Sequence, residues 1–151
     1  VPRHSKSRYY TDMTRTFVRG DAPPELAEMY DAVRDAQETA FDMIRAGAVC
    51  GDVHSAVCDY FIERGYSVSR GDDRTAEGFI HSTGHGVGLD IHEAPSMGEN
   101  DVVLEAGNVV TVEPGLYFRH IGGVRLEDVV VVTDSGCKNL TMFEKNLVAG
   151  A

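Results

Sequence analysis

Three acidic residues stand inside short, apolar, β-branched runs, where a charged carboxylate is costly to bury. Asp12 lies in Tyr9-Tyr10-Thr11-Asp12-Met13-Thr14-Arg15-Thr16-Phe17, Glu113 in Val109-Val110-Thr111-Val112-Glu113-Pro114-Gly115, and Glu127 in Val124-Arg125-Leu126-Glu127-Asp128-Val129-Val130. Between the first two along the chain comes His85, in Thr83-Gly84-His85-Gly86-Val87-Gly88. A buried carboxylate without a partner either protonates or takes up a positive charge. Three of them beside a neutral imidazole form an oxygen-rich cage suited to Mn, Co, Fe or Zn. The competing reading is that Asp12 and Glu127 pair with Arg15 and Arg125 in ordinary surface ion pairs.

Strand parity sharpens the first reading. Side chains alternate across a strand, so Asp12 shares a face with Tyr10, Thr14 and Thr16, while Met13, Arg15 and Phe17 take the other. Glu113 likewise shares a face with Thr111, and Glu127 with Arg125. If those faces converge, carboxylates concentrate where they resist ionising together without a cation.

The rest of the chain reads as α+β. Residues 8–19 alternate as a strand, and Gly20-Asp21-Ala22-Pro23-Pro24 turns into a helix. Leu26, Met29, Tyr30, Val33, Ala36, Ala40, Phe41 and Ile44 recur at helical spacing as a core stripe that ends near Gly47. A second helix is expected from about Val53 to Arg64, with Asp52 as cap and Gly65 as its left-handed stop. Gly71-Asp72-Asp73-Arg74 reads as a polar loop. Short strands follow at 84–91, 108–113, 115–119, 123–133 and 138–143, with hairpin turns at Gly122-Gly123 and Asp134-Ser135-Gly136. Helices early and strands late predict an antiparallel sheet covered on one face by two helices.

Composition excludes several classes. The 151 residues fit one domain with a real core, and no apolar run approaches the length of a membrane span. A formal charge of -10 with only three lysines (Lys6, Lys138 and Lys145) argues against nucleic acid. The acid bias fits either adaptation to high salt or an ordinary acidic enzyme. Cys50, Cys58 and Cys137 form no CxxC pair, so a reducing, cytoplasmic setting is expected. Val1 is not an initiator methionine and no apolar leader follows it, as in a piece of a longer chain.

Histidines cluster in His81-Ser82-Thr83-Gly84-His85-Gly86-Val87-Gly88-Leu89-Asp90-Ile91-His92-Glu93-Ala94-Pro95. His81 and His85 are four apart, yet the glycines at 84, 86 and 88 disfavour the helix that a zinc-helix motif needs. The same glycines give GxGxG, not the dinucleotide pattern GxGxxG. They do permit close backbone approach to a ligand or a strand. His4, His54 and His120 read as surface residues.

Asp12-Met13-Thr14-Arg15-Thr16-Phe17, Thr83 through Gly88 with His92-Glu93-Ala94-Pro95, Thr111-Val112-Glu113-Pro114-Gly115, and Gly123-Val124-Arg125-Leu126-Glu127-Asp128 resemble, in order, the signatures of the pita-bread metallopeptidases. The likeness is greatest to the Xaa-Pro dipeptidases (prolidases) and Xaa-Pro aminopeptidases. It implies a pita-bread fold, shortened on its N-terminal side across residues 1–151, with a largely antiparallel curved sheet covered by helices. It also implies hydrolysis of Xaa-Pro dipeptides by a hydroxide held between two divalent metals. On that resemblance Asp12 and Glu127 bridge the metals, while His85 and Glu113 bind one of them. Glu113 also carries the proton, His81 and His92 contact substrate and the oxyanion, and Arg125 orients Glu127 or Asp12.

One departure matters. The pattern calls for a further aspartate ten to twelve residues before Asp12, and no acidic residue precedes Asp12 here. The expectations are therefore one metal at best in this chain, little activity of its own, and self-association through an uncovered apolar face, as a homodimer. Alternative readings are an aminopeptidase acting on longer peptides, a creatinase-like hydrolase of a non-peptide C–N bond, or a non-catalytic binding module.

Overall fold

The computed structural model describes residues 2–69 and 77–149; the polar loop expected at Gly71–Arg74 lies outside them. Helix α1, Pro24–Met43, begins with proline in its first turn, where the missing N–H costs nothing, and Glu25 there favours the helix dipole. Its stripe of Met29, Val33, Ala36 and Ala40, with Ile44 just beyond, is fully buried. The one polar member of that buried face is Gln37.

Helix α2, Cys50–Glu63, starts before the expected Val53, and Asp52 falls in its first turn rather than at its cap. No side chain caps it. Its leading N–H groups are met by main chain instead: Cys50 N donates to Val102 O and Gly51 N to Asn100 O. Gly65 ends it as expected, with φ of 81° and a Tyr66 N to Phe61 O bond closing the last turn.

Seven strands follow: β1 His85–Gly86, β2 Glu93–Ser96, β3 Val109–Val112, β4 Gly115–Phe118, β5 Gly122–Arg125, β6 Asp128–Val132 and β7 Cys137–Asn139. Five form an antiparallel sheet in the order β2-β1-β3-β6-β7, and β4-β5 form a separate hairpin. Helix α1 packs against β3, β4 and β5, and α2 lies alongside α1.

Several expected boundaries move for physical reasons. Residues 8–19 form no continuous strand; they make isolated bridges at Tyr10, Thr14 and Val18 to three different partners, Arg3, Glu127 and Val148. The expected strand 123–133 breaks at Leu126 and Glu127, where the chain crosses from the hairpin into the larger sheet. The expected strand 84–91 shrinks to two residues among its glycines, and β2 was not anticipated. Gly122 and Gly123 lie within β5, and the turn falls at residues 119–121. The turn at Asp134-Ser135-Gly136 is present, with Thr133 N bonded to Gly136 O.

Parity then sorts the sheet residues. Val110, Val112, Leu116, Val124, Leu126, Val130 and Val132 are buried in the core cluster shared with the helices. Thr111, Glu113, Tyr117, Arg125 and Glu127, at the odd positions between them, share a network of polar contacts away from that core. Arg15 takes the other side of its segment and is wholly committed there. Its guanidinium pairs with the buried Asp128 at 2.6 Å and donates to the carbonyls of Thr14, Glu127, Phe143 and Glu144. Lys145 and Asn139 complete the shell around Asp128, each at 2.8 Å.

This buried network sets the first prediction. Asp128→Ala strands two cations, one of them almost fully buried, and is expected to cost about 3–5 kcal/mol of unfolding free energy by urea denaturation. Arg119→Ala, which removes an exposed partner of Glu77, is expected to change it by less than about 1 kcal/mol. Equal effects from the two substitutions would contradict the burial argument.

Candidate metal centre

Three elements converge on the cage. The segment carrying Asp12 lies beside the junction between β5 and β6 through a two-way backbone pair, Glu127 N to Thr14 O at 3.0 Å and Thr14 N to Glu127 O at 3.4 Å. Glu113 occupies the junction between β3 and β4, and its N–H donates to Thr83 O at 2.8 Å. His85 opens β1, where its own N–H donates to Thr111 Oγ1 at 3.0 Å. That approach needs Gly84, since a Cβ there would overlap the Thr111 carbonyl.

One ligand atom each from Asp12, His85 and Glu127 falls within 4.8 Å of the others. Ligands of a single ion held at about 2.1 Å lie roughly 3–4 Å apart, so modest contraction closes this cage. Glu113 joins it through His85: Nε2 is 3.2 Å from Glu113 Oε1 and 3.9 Å from Asp12 Oδ2.

The protonation pattern shows what the cage favours. Burial, opposed by the Thr14 hydroxyl and reinforced by the charges of Glu113 and Asp12, pushes the Glu127 carboxyl up to about 7. Burial also raises Glu113, but the hydrogen bond and charge of His85 outweigh it and leave Glu113 below its usual value. Burial lowers His85, yet its bonds to Glu113 and Gly86 O and the nearby carboxylates raise it overall. His85 Nδ1 lies 3.0 Å from Gly86 O, so its N–H is committed there. Nε2 is left facing two carboxylates, an arrangement a lone pair tolerates only around a proton or a metal cation. An oxygen-rich donor set with one imidazole fits a divalent metal.

The other expected residues are placed unequally. His92 is exposed and stands edge-on to His85, with ring centroids 4.3 Å apart. His81 is 2.9 Å from the Tyr117 hydroxyl through Nε2 and 2.8 Å from Ser82 O through Nδ1, so both ring nitrogens are occupied. Burial pushes its imidazole down, favouring the neutral form. Arg125 reaches Glu127 through an intermediary. Its Nε donates to Thr14 Oγ1 at 3.1 Å, and the Thr14 hydroxyl donates to Glu127 Oε2 at 2.5 Å. Neither ion pair of the competing reading is found among the described residues: Arg15 is spent on Asp128, and Arg125 meets Glu127 through Thr14.

Sequence reasoning missed three residues of this neighbourhood. Thr14 links Arg125 to Glu127; the alternation that put Asp12 and Thr14 on one face was the available signal. Tyr117 bridges His81 and Arg125, its hydroxyl 3.3 Å from Arg125 Nη1. It lies two residues from Gly115, on the site face, which is the parity signal that pointed to it. His54, read as a surface residue, is buried on α2 and bonds Thr83 Oγ1 at 2.9 Å through Nδ1. An aromatic ring fits there against Phe79, and burial of that helix face places it inside. His4 and His120 are exposed, as expected.

Residues 4–134 match the family described as Metallopeptidase family M24. The chain belongs to that family. Its M24 relatives include the Xaa-Pro dipeptidase of Pyrococcus furiosus, 39% identical over 143 residues, which cover 94% of this chain and 38% of the relative. The solved structure of the Xaa-Pro dipeptidase from Bacillus anthracis superposes with a TM-score of 0.84 at 42% identity, covering 93% of this chain and 38% of that one. The X-Pro aminopeptidase from Thermotoga maritima gives 0.85 at 35% identity, covering 94% of this chain and 38% of that one. The pita-bread architecture of the M24 prolidases is thus shared, with two helices over largely antiparallel sheets. This M24 chain spans about two-fifths of the length of the relatives it matches.

The raised groups set a pH prediction. Glu127 and His85 both titrate higher in the folded chain, so the stability each lends is complete below its unfolded value. Glu127's share is lost as pH rises from about 4.5 to about 7, and His85's as pH passes above 6.5. Glu113, depressed, acts at the acid end, where its contribution disappears as pH falls. The metal-free chain is therefore expected to lose melting temperature between about pH 5 and pH 8, and Mn²⁺ to raise it more at the higher pH. A metal-induced rise of equal size at both values would contradict this reading of the cage.

Proposed function

We propose that this chain carries the metal-binding part of a peptidase that hydrolyses the Xaa-Pro bond of dipeptides. The observation that supports it is the convergence of Asp12, His85 and Glu127 within 4.8 Å, with Glu113 against His85, in a chain of the M24 family. In this reading Asp12, His85, Glu113 and Glu127 would hold the divalent metal, with Asp12 and Glu127 serving as the shared ligands of the site. Manganese, cobalt, iron and zinc all suit the donor set. The chemistry that metal would supply is a lowered pKa for bound water at neutral pH and polarisation of the scissile carbonyl.

The chain's own groups do the rest. Glu113, kept ionised by His85, takes the proton from the attacking water and passes it to the departing proline nitrogen. His92, exposed at the rim, contacts the substrate and the developing oxyanion. His81 serves the same face through Tyr117, whose hydroxyl it orients, and reaches substrate itself on releasing that partner. Arg125 fixes Thr14, and through it the position of Glu127. The upstream aspartate that completes the two-ion site belongs, on this proposal, to a longer protein of which residues 1–151 are one catalytic domain's C-terminal part.

The likeness to the Thermotoga maritima X-Pro aminopeptidase favours a second reading, cleavage before proline in longer peptides. Retention of all four cage residues counts against a silent binding module. Among the described residues no helix is long and apolar enough to cross a membrane. Three free cysteines support a cytoplasmic setting. Exposed Met13, Phe17, Leu140, Met142 and Phe143, with Phe17 and Phe143 in ring contact, support burial of that face in a homodimer.

Hydrolysis of Xaa-Pro dipeptides and of longer Xaa-Pro peptides, followed with and without chelator on the 151-residue chain and on the longer protein, tests the proposal. The longer protein is expected to cleave dipeptides only with divalent metal and to sediment as a dimer, while the 151-residue chain shows little turnover. Turnover that survives chelation, or none from the longer protein, would overturn the peptidase reading. Faster cleavage of the longer peptides would select the aminopeptidase.

A further inference from the structure

Glu113 and Glu127 do not belong to one strand. Each stands at a junction where the chain crosses between the five-stranded sheet and the β4-β5 hairpin, Glu113 after β3 and Glu127 after β5. Their spacing is therefore a property of two separate crossings. Their own N–H groups tie them to unrelated elements, Glu113 to Thr83 O and Glu127 to Thr14 O. Val112 pairs with Asp128 and Gly115 with Arg125 on either side, and between those pairs there is one long backbone bond, Leu126 N to Pro114 O at 3.4 Å.

Gln37 fills that gap from the helix layer. It is fully buried in the apolar face of α1, and its Nε2 donates to Val112 O at 2.8 Å and to Leu126 O at 3.3 Å. Those carbonyls belong to the residues immediately before Glu113 and Glu127. A planar NH₂ group has two hydrogens in fixed directions, one for each crossing, and two carbonyl acceptors leave no freedom to exchange its nitrogen and oxygen. Its Oε1 has no hydrogen-bond partner among the described residues. An apolar side chain would fill this place in the stripe without burying an unmet acceptor. The amide is thus explained by the two bonds that it makes toward the cage and not by packing.

We propose that Gln37 is a positioning residue for the metal centre: it clamps the two crossings and so sets the separation of the Glu113 and Glu127 carboxylates. The proposal rests on the metal-site reading above and extends it to a residue on the opposite face of the sheet. Partners that orient metal ligands typically govern affinity by tenfold or more.

The test compares the chain with Gln37→Met, which keeps the volume and loses both donors. A second variant, Gln37→Glu, is protonated in this apolar setting and keeps one donor. Co²⁺ is titrated into each, with affinity and the visible d–d spectrum as readouts, and amide hydrogen exchange at Glu113 and Glu127 is followed without metal. Gln37→Met is expected to lose about tenfold or more in Co²⁺ affinity, with an altered spectrum and faster exchange at both amides, and Gln37→Glu to recover part of each. Unchanged affinity, spectrum and local exchange in folded Gln37→Met would overturn the clamp, even with a lowered melting temperature. If Gln37→Met does not fold, Gln37→Glu decides: an intermediate affinity supports the clamp and a wild-type affinity with wild-type exchange overturns it. Failure of the unaltered chain to bind Co²⁺ would instead overturn the metal reading, and exchange at the two amides alone would then judge Gln37.

Discussion

Mutual repulsion among carboxylates in a partly dehydrated hollow is the constraint that organises this molecule. Asp12, Glu113 and Glu127 come from three distant parts of the sequence and share a space that excludes much of the water that would screen them. Two responses are visible in the structure. Burial, reinforced by the charges of Glu113 and Asp12, drives Glu127 toward its acid form, and Glu113 draws His85 toward its protonated form against the burial of its ring. A divalent cation would relieve the repulsion among the three carboxylates and accept the lone pair of His85 at the same time.

The scaffold bears that load through alternation. The segments carrying Glu113 and Glu127 give their even-numbered side chains to the core under the helices and their odd-numbered ones to the site, so a single register error would invert both. The crossings at Glu113 and Glu127 break the strands where the carboxylates are needed. They also expose main-chain carbonyls to α1, which meets two of them through Gln37. On the outer side, the Arg15–Asp128 pair pins the segment carrying Asp12 to the start of β6. The polar groups at the centre are thus held from both sides of the sheet by buried hydrogen bonds.

Much of this was legible in the chain itself. Asp12, Glu113 and Glu127 stand out because charge inside β-branched runs needs an explanation, and parity placed each on a face with a polar neighbour; His85 stands out in its glycine-rich histidine cluster. The stripe of α1 and the glycine stop of α2 follow from periodicity and backbone sterics. What escaped depended on tertiary pairing. Residues 8–19 alternate like a strand but meet three partners in succession, so no ladder forms. His54 carries no mark that distinguishes it from a surface histidine until α2 is docked. Thr14, at an isolated bridge, and Tyr117, on β4, carry hydroxyls that acquire their role only when Arg125 is brought between them. The start of α2 was misplaced because main-chain carbonyls, invisible to sequence patterns, replace the side-chain cap.

The most direct test of the central claim is anomalous diffraction from crystals of this chain grown with Mn²⁺. The account predicts a peak bounded by Asp12, His85, Glu113 and Glu127, with oxygen and nitrogen ligands at about 2.0–2.3 Å. Manganese bound only at the exposed acidic surface, with these four side chains positioned as they are now, would contradict it.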